Sequence, residues 1–242
     1  MHRRLFLLGG ALGALLVALL LAGPIAQPGA YHDFADQRRL LGIPHFWNIA
    51  TNLPFVVIGL MGLALVHRKP PPAARAWAAM FGGTALVGLG SAYYHLNPHD
   101  ATLVWDRLAM GIAFMGFLAA LIAEHARVES QRLLWPLVAL SVLAVLWWRH
   151  SGDLAPWVWV QAAPMLAVVL VMALLPPRYT HRRYFAYALA CYAAAKLFEL
   201  GDAALYAWSG GALSGHSLKH LAAAAGVCVL YAMLRVRRPL PV

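Results

Sequence analysis

Ser214-Gly215-His216-Ser217-Leu218-Lys219-His220 opens an apolar stretch that runs to residue 234. Twenty such residues reach across about 30 Å of hydrocarbon if helical. His216 and His220 stand four apart, so a helix puts both imidazoles on one face, about 6 Å apart along the axis. Ser91-Ala92-Tyr93-Tyr94-His95 repeats the four-residue spacing at the end of a second apolar stretch, and Asp106 opens a third. Ionisable groups at membrane depth are expensive, and by default they mark function.

The rest of the chain agrees with a membrane setting. Of its 242 residues, 62% are hydrophobic and 12% are charged, against about 45–50% and about 25% in soluble domains. Apolar stretches at 5–23, 46–66, 76–95, 103–124, 133–149, 156–175, 184–207 and 215–234 are each a span or nearly one. Breakers separate them: Pro24 and Pro28, Pro70-Pro71-Pro72, Asn97-Pro98, Ser151-Gly152-Asp153, Pro176-Pro177 and Gly210-Gly211. The expectation is an all-α integral membrane protein, a seven-helix bundle at 28–242 preceded by an apolar helix at 1–27. Met1-His2-Arg3-Arg4 before that helix fits a signal anchor or a signal peptide. No clean cleavage site follows it, which favours the anchor. Cys191 and Cys228 fall inside apolar stretches and read as small core residues.

The net charge of +10 is spread over short loops, which excludes a nucleic-acid surface. Arg3, Arg4, Arg68, Lys69, Arg75, Arg127, Arg132, Arg178, Arg182, Arg183, Arg235, Arg237 and Arg238 all fall on one side of eight spans. The other side has Arg38, Arg39 and Arg149. The positive-inside rule then makes both termini cytoplasmic. Arginine far outnumbers lysine, as in GC-rich bacterial genomes, so the expected place is a bacterial inner membrane. Trp47, Trp105, Trp147, Trp148, Trp157 and Trp208 cluster at the outer ends of spans as interfacial anchors.

That topology puts His95, Asp106, His216 and His220 in one leaflet, toward the periplasmic side. Three neutral imidazoles suit Zn2+ and leave a position open for chemistry. Asp106 can move a proton between water and a leaving group. Ser91, one turn before His95, can donate to an oxyanion. Its alternative is a bond to the carbonyl four residues back.

At these residues the chain resembles the alkaline ceramidase family, in the superfamily that includes the adiponectin-type and progestin-type receptors. The resemblance rests on Phe46-Trp47-Asn48 with Asn52, Gly90-Ser91 through His95, Asp106, and the His216–His220 pair. It covers 33–234. It implies zinc on His95, His216 and His220, Asp106 as proton shuttle and Ser91 at the oxyanion. The implied substrate is a ceramide-like lipid amide, split into a sphingoid base and a fatty acid. The family also carries Ca2+ before the first core helix. Here Asp33 and Asp36 remain as oxygen ligands, but Arg38 and His45 replace others, and neither is a calcium ligand. The alternative is that Arg38 pairs with an aspartate and ties the loop down without an ion.

Lys196, Glu199 and Asp202 follow at three-residue steps. Lys196 and Glu199 form an intramembrane pair, or else Asp202 or Glu199 accepts an imidazole N–H from a zinc ligand. Lys219 and Arg107 read as snorkelling or ion-paired residues. Two rivals remain. A receptor of the adiponectin type usually adds a soluble N-terminal domain, and here only an apolar helix precedes the core. A haem protein would want histidines facing across a gap. Oligomeric state and acyl length have no sequence signal.

Overall fold

The computed structural model describes residues 2–126 and 128–241. Arg127, counted above among the basic loop residues, lies outside them. Helices α1 (His2–Leu21), α2 (Phe46–Ala50), α3 (Leu53–Arg68), α4 (Ala74–Leu96) and α5 (Asp100–Ala126) make the first half. Helices α6 (Ser130–Ser151), α7 (Ala155–Leu174), α8 (Arg183–Leu200), α9 (Asp202–Trp208) and α10 (Gly215–Val236) make the second. The expected all-helical membrane bundle is what the chain forms.

Two expected spans are broken. The 46–66 segment divides at Thr51–Asn52 because Pro54, at the start of α3, has no N–H to offer the carbonyl of Ala50. The 184–207 segment divides at Gly201 into α8 and α9. Counting α2–α3 as one span, 6 helices among the described residues are long and apolar enough to cross a membrane on their own. Helix α4, diluted by Gly82, Gly83, Gly88 and Gly90, and α8, with three tyrosines, Lys196 and Glu199, complete the bundle beside them.

Helices α3, α4, α5, α7, α8 and α10 close a ring around a central cavity. Helix α6 packs outside α5 and α7, and α1 packs on α7. Helix α1 is docked through buried Leu8 and Leu12, and Trp159 Nε1 donates to the carbonyl of Leu12 at 2.9 Å.

Several side chains sit elsewhere than the sequence suggested. Trp148 and Trp157 are each only 3% exposed. They are not interfacial anchors but packing for Arg107, whose guanidinium lies 3.8 Å over Trp148. Trp105, Trp147 and Trp208 do face outward. Cys228 is exposed and Cys191 half-buried, so neither is a core residue. Not every arginine is a loop charge. Arg237 pairs with buried Glu124 over Tyr179, and Arg182 donates to the carbonyls of Val171 and Leu175.

Candidate metal centre

Two glycines let the helices approach closely enough to build the site. A Cβ on Gly90 would lie 2.9 Å from the carbonyl oxygen of Trp105 and 3.3 Å from Asp106 Cα. Its absence lets α4 lie against the first turns of α5, beside Ser91 and Asp106. A Cβ on Gly215 would lie 2.2 Å from the carbonyl of Phe198 and 2.7 Å from Asp202 Cα. Only glycine lets the start of α10 settle on α8 and α9.

Ser214 caps α10, its hydroxyl accepting from the N–H of Ser217. The next turn then presents His216 and His220 toward His95, at the last turn of α4. One nitrogen from each of the three falls within 4.8 Å of the others, and all three rings are buried. His216 Nε2 and His95 Nε2 are 3.2 Å apart. Two nitrogens each about 2.0–2.1 Å from a shared tetrahedral centre stand about 3.3–3.4 Å apart, so this pair has the spacing of a zinc-sized cation, with the His220 nitrogen within 4.8 Å of both. Two buried atoms beside it, His95 Nδ1 and Asp106 Oδ1, have no partner.

The tautomer of His220 is fixed. Thr51 Oγ1 donates its only proton to the carbonyl of Trp47 at 2.6 Å, and His220 Nδ1 lies 3.0 Å from the same oxygen. The imidazole must therefore donate there, which leaves the lone pair on Nε2. On the neighbouring turn of α10, Ser217 Oγ donates to Asn48 Oδ1 at 2.8 Å and ties α2 to α10.

A segment between α1 and α2 covers the cluster. Phe34 is buried, its ring centroid 4.7 Å from that of His95 and 4.3 Å from that of His216. Asp202 anchors this cover. Its Oδ1 accepts from the backbone N–H of His216 at 2.7 Å and its Oδ2 from that of Ala35 at 2.9 Å. Asp202 therefore holds backbone rather than an imidazole, because the break at Gly201 turns it toward the end of α10. Glu199 does not reach an imidazole either. Lys196 Nζ donates to its Oε2 at 2.6 Å and Lys219 Nζ to its Oε1 at 2.9 Å.

In this segment Arg38 engages the buried carboxylate. Both oxygens of buried Asp36 are taken by Arg38, Nε at 2.8 Å and Nη2 at 2.6 Å, and that Nη2 also donates to the carbonyl of Ala212 at 2.9 Å. Asp33 is exposed. Among the described residues, the three histidines are the only cluster of three His, Cys, Asp or Glu side chains close enough to share one ion. A guanidinium stands where the resemblance implied an ion.

Below the histidines lies a cavity of about 290 Å³. Ser91, Asp106, Gln161, Lys219 and His220 line the end nearest the cluster; Met80, Phe117, Val168, Phe185 and Leu230 line the far end. Met80 and Ser91 are eleven residues apart on α4, so the apolar part is about 16 Å deep. Thr84 on α4 bonds its hydroxyl back to the carbonyl of Met80 at 2.9 Å. Ser91 makes no such bond among the described residues, so its hydroxyl is free for the cavity. An amphipathic tube with a metal-sized cluster at its polar end suits a lipid whose polar linkage is cut there.

The sequence profile of the ceramidase family matches residues 42–194. The chain belongs to the ceramidase family. Membership implies a hydrolase acting on the amide bond of a lipid such as ceramide. The matched region holds Ser91, His95 and Asp106; His216 and His220 lie beyond it and reach His95 through the packing of α10. Among individual curated proteins, none matches the chain. Thr51, Phe34 and Asn48 join the site only through the fold. Asn48 and the nearby Asn52 belong to the motif that carries the family resemblance, which gives them no role, while Thr51 and Phe34 have no local sequence signal.

Proposed function

We propose that the protein is a zinc-dependent amidase that hydrolyses the N-acyl bond of ceramide-like lipids to a sphingoid base and a fatty acid. The observation that carries this is the buried three-histidine cluster at the polar end of a lipid-deep apolar cavity. His95, His216 and His220 would hold the metal. When bound, zinc supplies Lewis acidity and makes water nucleophilic near neutral pH.

The chain's own residues do the rest. Asp106 Oδ1, free of partners, takes the proton from the attacking water and passes it to the amide nitrogen as the C–N bond breaks. Ser91 Oγ donates to the carbonyl oxygen as it gains charge. Thr51 holds His220 in the tautomer that exposes Nε2. Phe34 keeps bulk water off the cluster. The acyl chain lies among Met80, Phe117 and Leu230. Helix α7 meets α8 over a short stretch only, and a lipid enters sideways there.

The test is metal analysis of the purified protein together with hydrolysis of a panel of N-acyl lipids. One zinc per chain, lost in His216→Ala, and release of fatty acid from a ceramide are expected. Full zinc occupancy after His95, His216 and His220 are all changed to Ala would move the site elsewhere.

A further inference from the structure

The cavity carries more positive charge than the proposed hydrolysis uses. Its charged lining residues are Arg107, Lys196 and Lys219 against Asp106 and Glu199. That leaves one cation in excess before any metal is counted. Uncompensated charge at membrane depth is costly, so such a cation is kept where something answers it.

The donors of that set are not used up. Glu199 gives one oxygen to each lysine, at 2.6 Å for Lys196 and 2.9 Å for Lys219. An ammonium has three N–H donors, and no second partner holds either one among the described residues. Lys219 lies between two of the proposed zinc ligands, yet 20% of its side chain stays accessible because it faces the cavity. Arg107 is 2% exposed. Its Nη2 donates to Gln27 Oε1 at 2.7 Å, while Nε and Nη1 have no partner. Aromatic rings hold it in place, Trp148 at 3.8 Å and Tyr31 at 5.5 Å. Apolar residues line the opposite end of the tube. The charge therefore sits where a head group would lie, not where an acyl chain would.

We infer that the cavity selects lipid amides whose head group bears an anion, such as a phosphate monoester, with Lys219 and Lys196 as the specificity-determining cations. This deepens the lipid-amidase reading and rests on the same cavity. The free carboxylate of the fatty-acid product is the other anion that could meet these cations.

The experiment measures binding and hydrolysis separately. Three ligands of one acyl length are offered in detergent: an N-acyl lipid with a neutral hydroxyl head group, the same lipid with a phosphate head group, and the free fatty acid. Binding is read on the slow Ser91→Ala protein, which keeps every charge in the cavity lining, and turnover on the unaltered enzyme. The phosphate-bearing lipid should bind at least about tenfold more tightly than the neutral one, the size of one charge-assisted hydrogen bond.

Lys219→Gln should remove most of that preference while leaving Glu199 its partner in Lys196. Glu199→Gln should raise it. Opposite shifts in the two variants separate charge from shape and from attraction to the metal. Equal binding of the neutral and phosphate lipids overturns the inference, and so does a preference that both variants leave alone. Tight binding of the fatty acid alone would overturn it as well, giving the cations to the product. Selective binding without turnover of any lipid would keep the inference and sink the amidase.

Discussion

Thr51 Oγ1 lies 3.0 Å from His220 Nδ1 while it donates to the carbonyl of Trp47. One hydroxyl proton cannot serve both neighbours, so the imidazole is the donor and its Nε2 is left as a lone pair. Thr51 sits there because Pro54 interrupts the helix, ending α2 just before it and turning the threonine toward α10.

Thr51→Val should weaken zinc binding about 10–100-fold, as loss of a partner behind a metal-bound histidine generally does. Thr51→Ser should restore it. Competition against a chromophoric chelator reads both. Unchanged affinity in the valine variant would mean that something other than Thr51 sets the His220 tautomer.

Asp106→Asn should keep the metal and lose about 10²–10⁴ in turnover, the range of a positioned proton carrier. Zinc content and the rate of amide cleavage are measured on one preparation. Near-normal turnover would leave Asp106 a structural group and require another carrier for the proton.

The Arg38–Asp36 pair makes a prediction of its own. Burial alone would raise the Asp36 carboxyl, but hydrogen bonds and charge from Arg38 outweigh it and hold the group below its usual range. A carboxylate lowered in this way stabilises the fold above its unfolded value, about 3.9. The contribution is lost as pH falls through the lower folded value. Arg38→Gln should cost about 1–3 kcal/mol by leaving a buried carboxylate short of partners, and should move acid unfolding to higher pH. Added Ca2+ should leave the melting temperature of the unaltered protein where it is. A rise with Ca2+ would mean that this segment binds the ion despite the Arg38–Asp36 pair.

What the sequence could and could not tell follows from which interactions are local. The His216–His220 spacing, the Ser91–His95 spacing and the apolar runs are set within single helices, so periodicity exposes them. The convergence of His95 on the pair is tertiary, and it needs the close approaches at Gly90 and Gly215. Asp202 was misread because three-residue steps put it on the face of Glu199, whereas Gly201 ends α8 and turns it to the backbone of His216. Trp148 and Trp157 were misread because end-of-span position favours an anchor. Nothing local reveals that Arg107 is buried between them. Phe34 and Thr51 act on residues more than sixty and one hundred and sixty positions away, and such contacts leave no trace in a local pattern.

The last prediction concerns sidedness. The basic loops around Arg68, Lys69 and Arg75, and around Arg178 and Arg183, should face the cytoplasm. The proposed ligands lie at the other ends of their helices, which puts the site toward the outer leaflet. Both ways in which α1 could behave, as a retained anchor or as a segment removed after export, give the core the same orientation. Cys191 and Cys228 are first changed to Ala to give a silent background. Ala101 and Pro72 are both exposed, and each is then changed to Cys in turn. Ala101→Cys should react with a membrane-impermeant thiol reagent in intact cells, and Pro72→Cys only after the cells are opened. Labelling in the reverse pattern would turn the bundle over, and the hydrolase would then draw its lipid from the cytoplasmic leaflet.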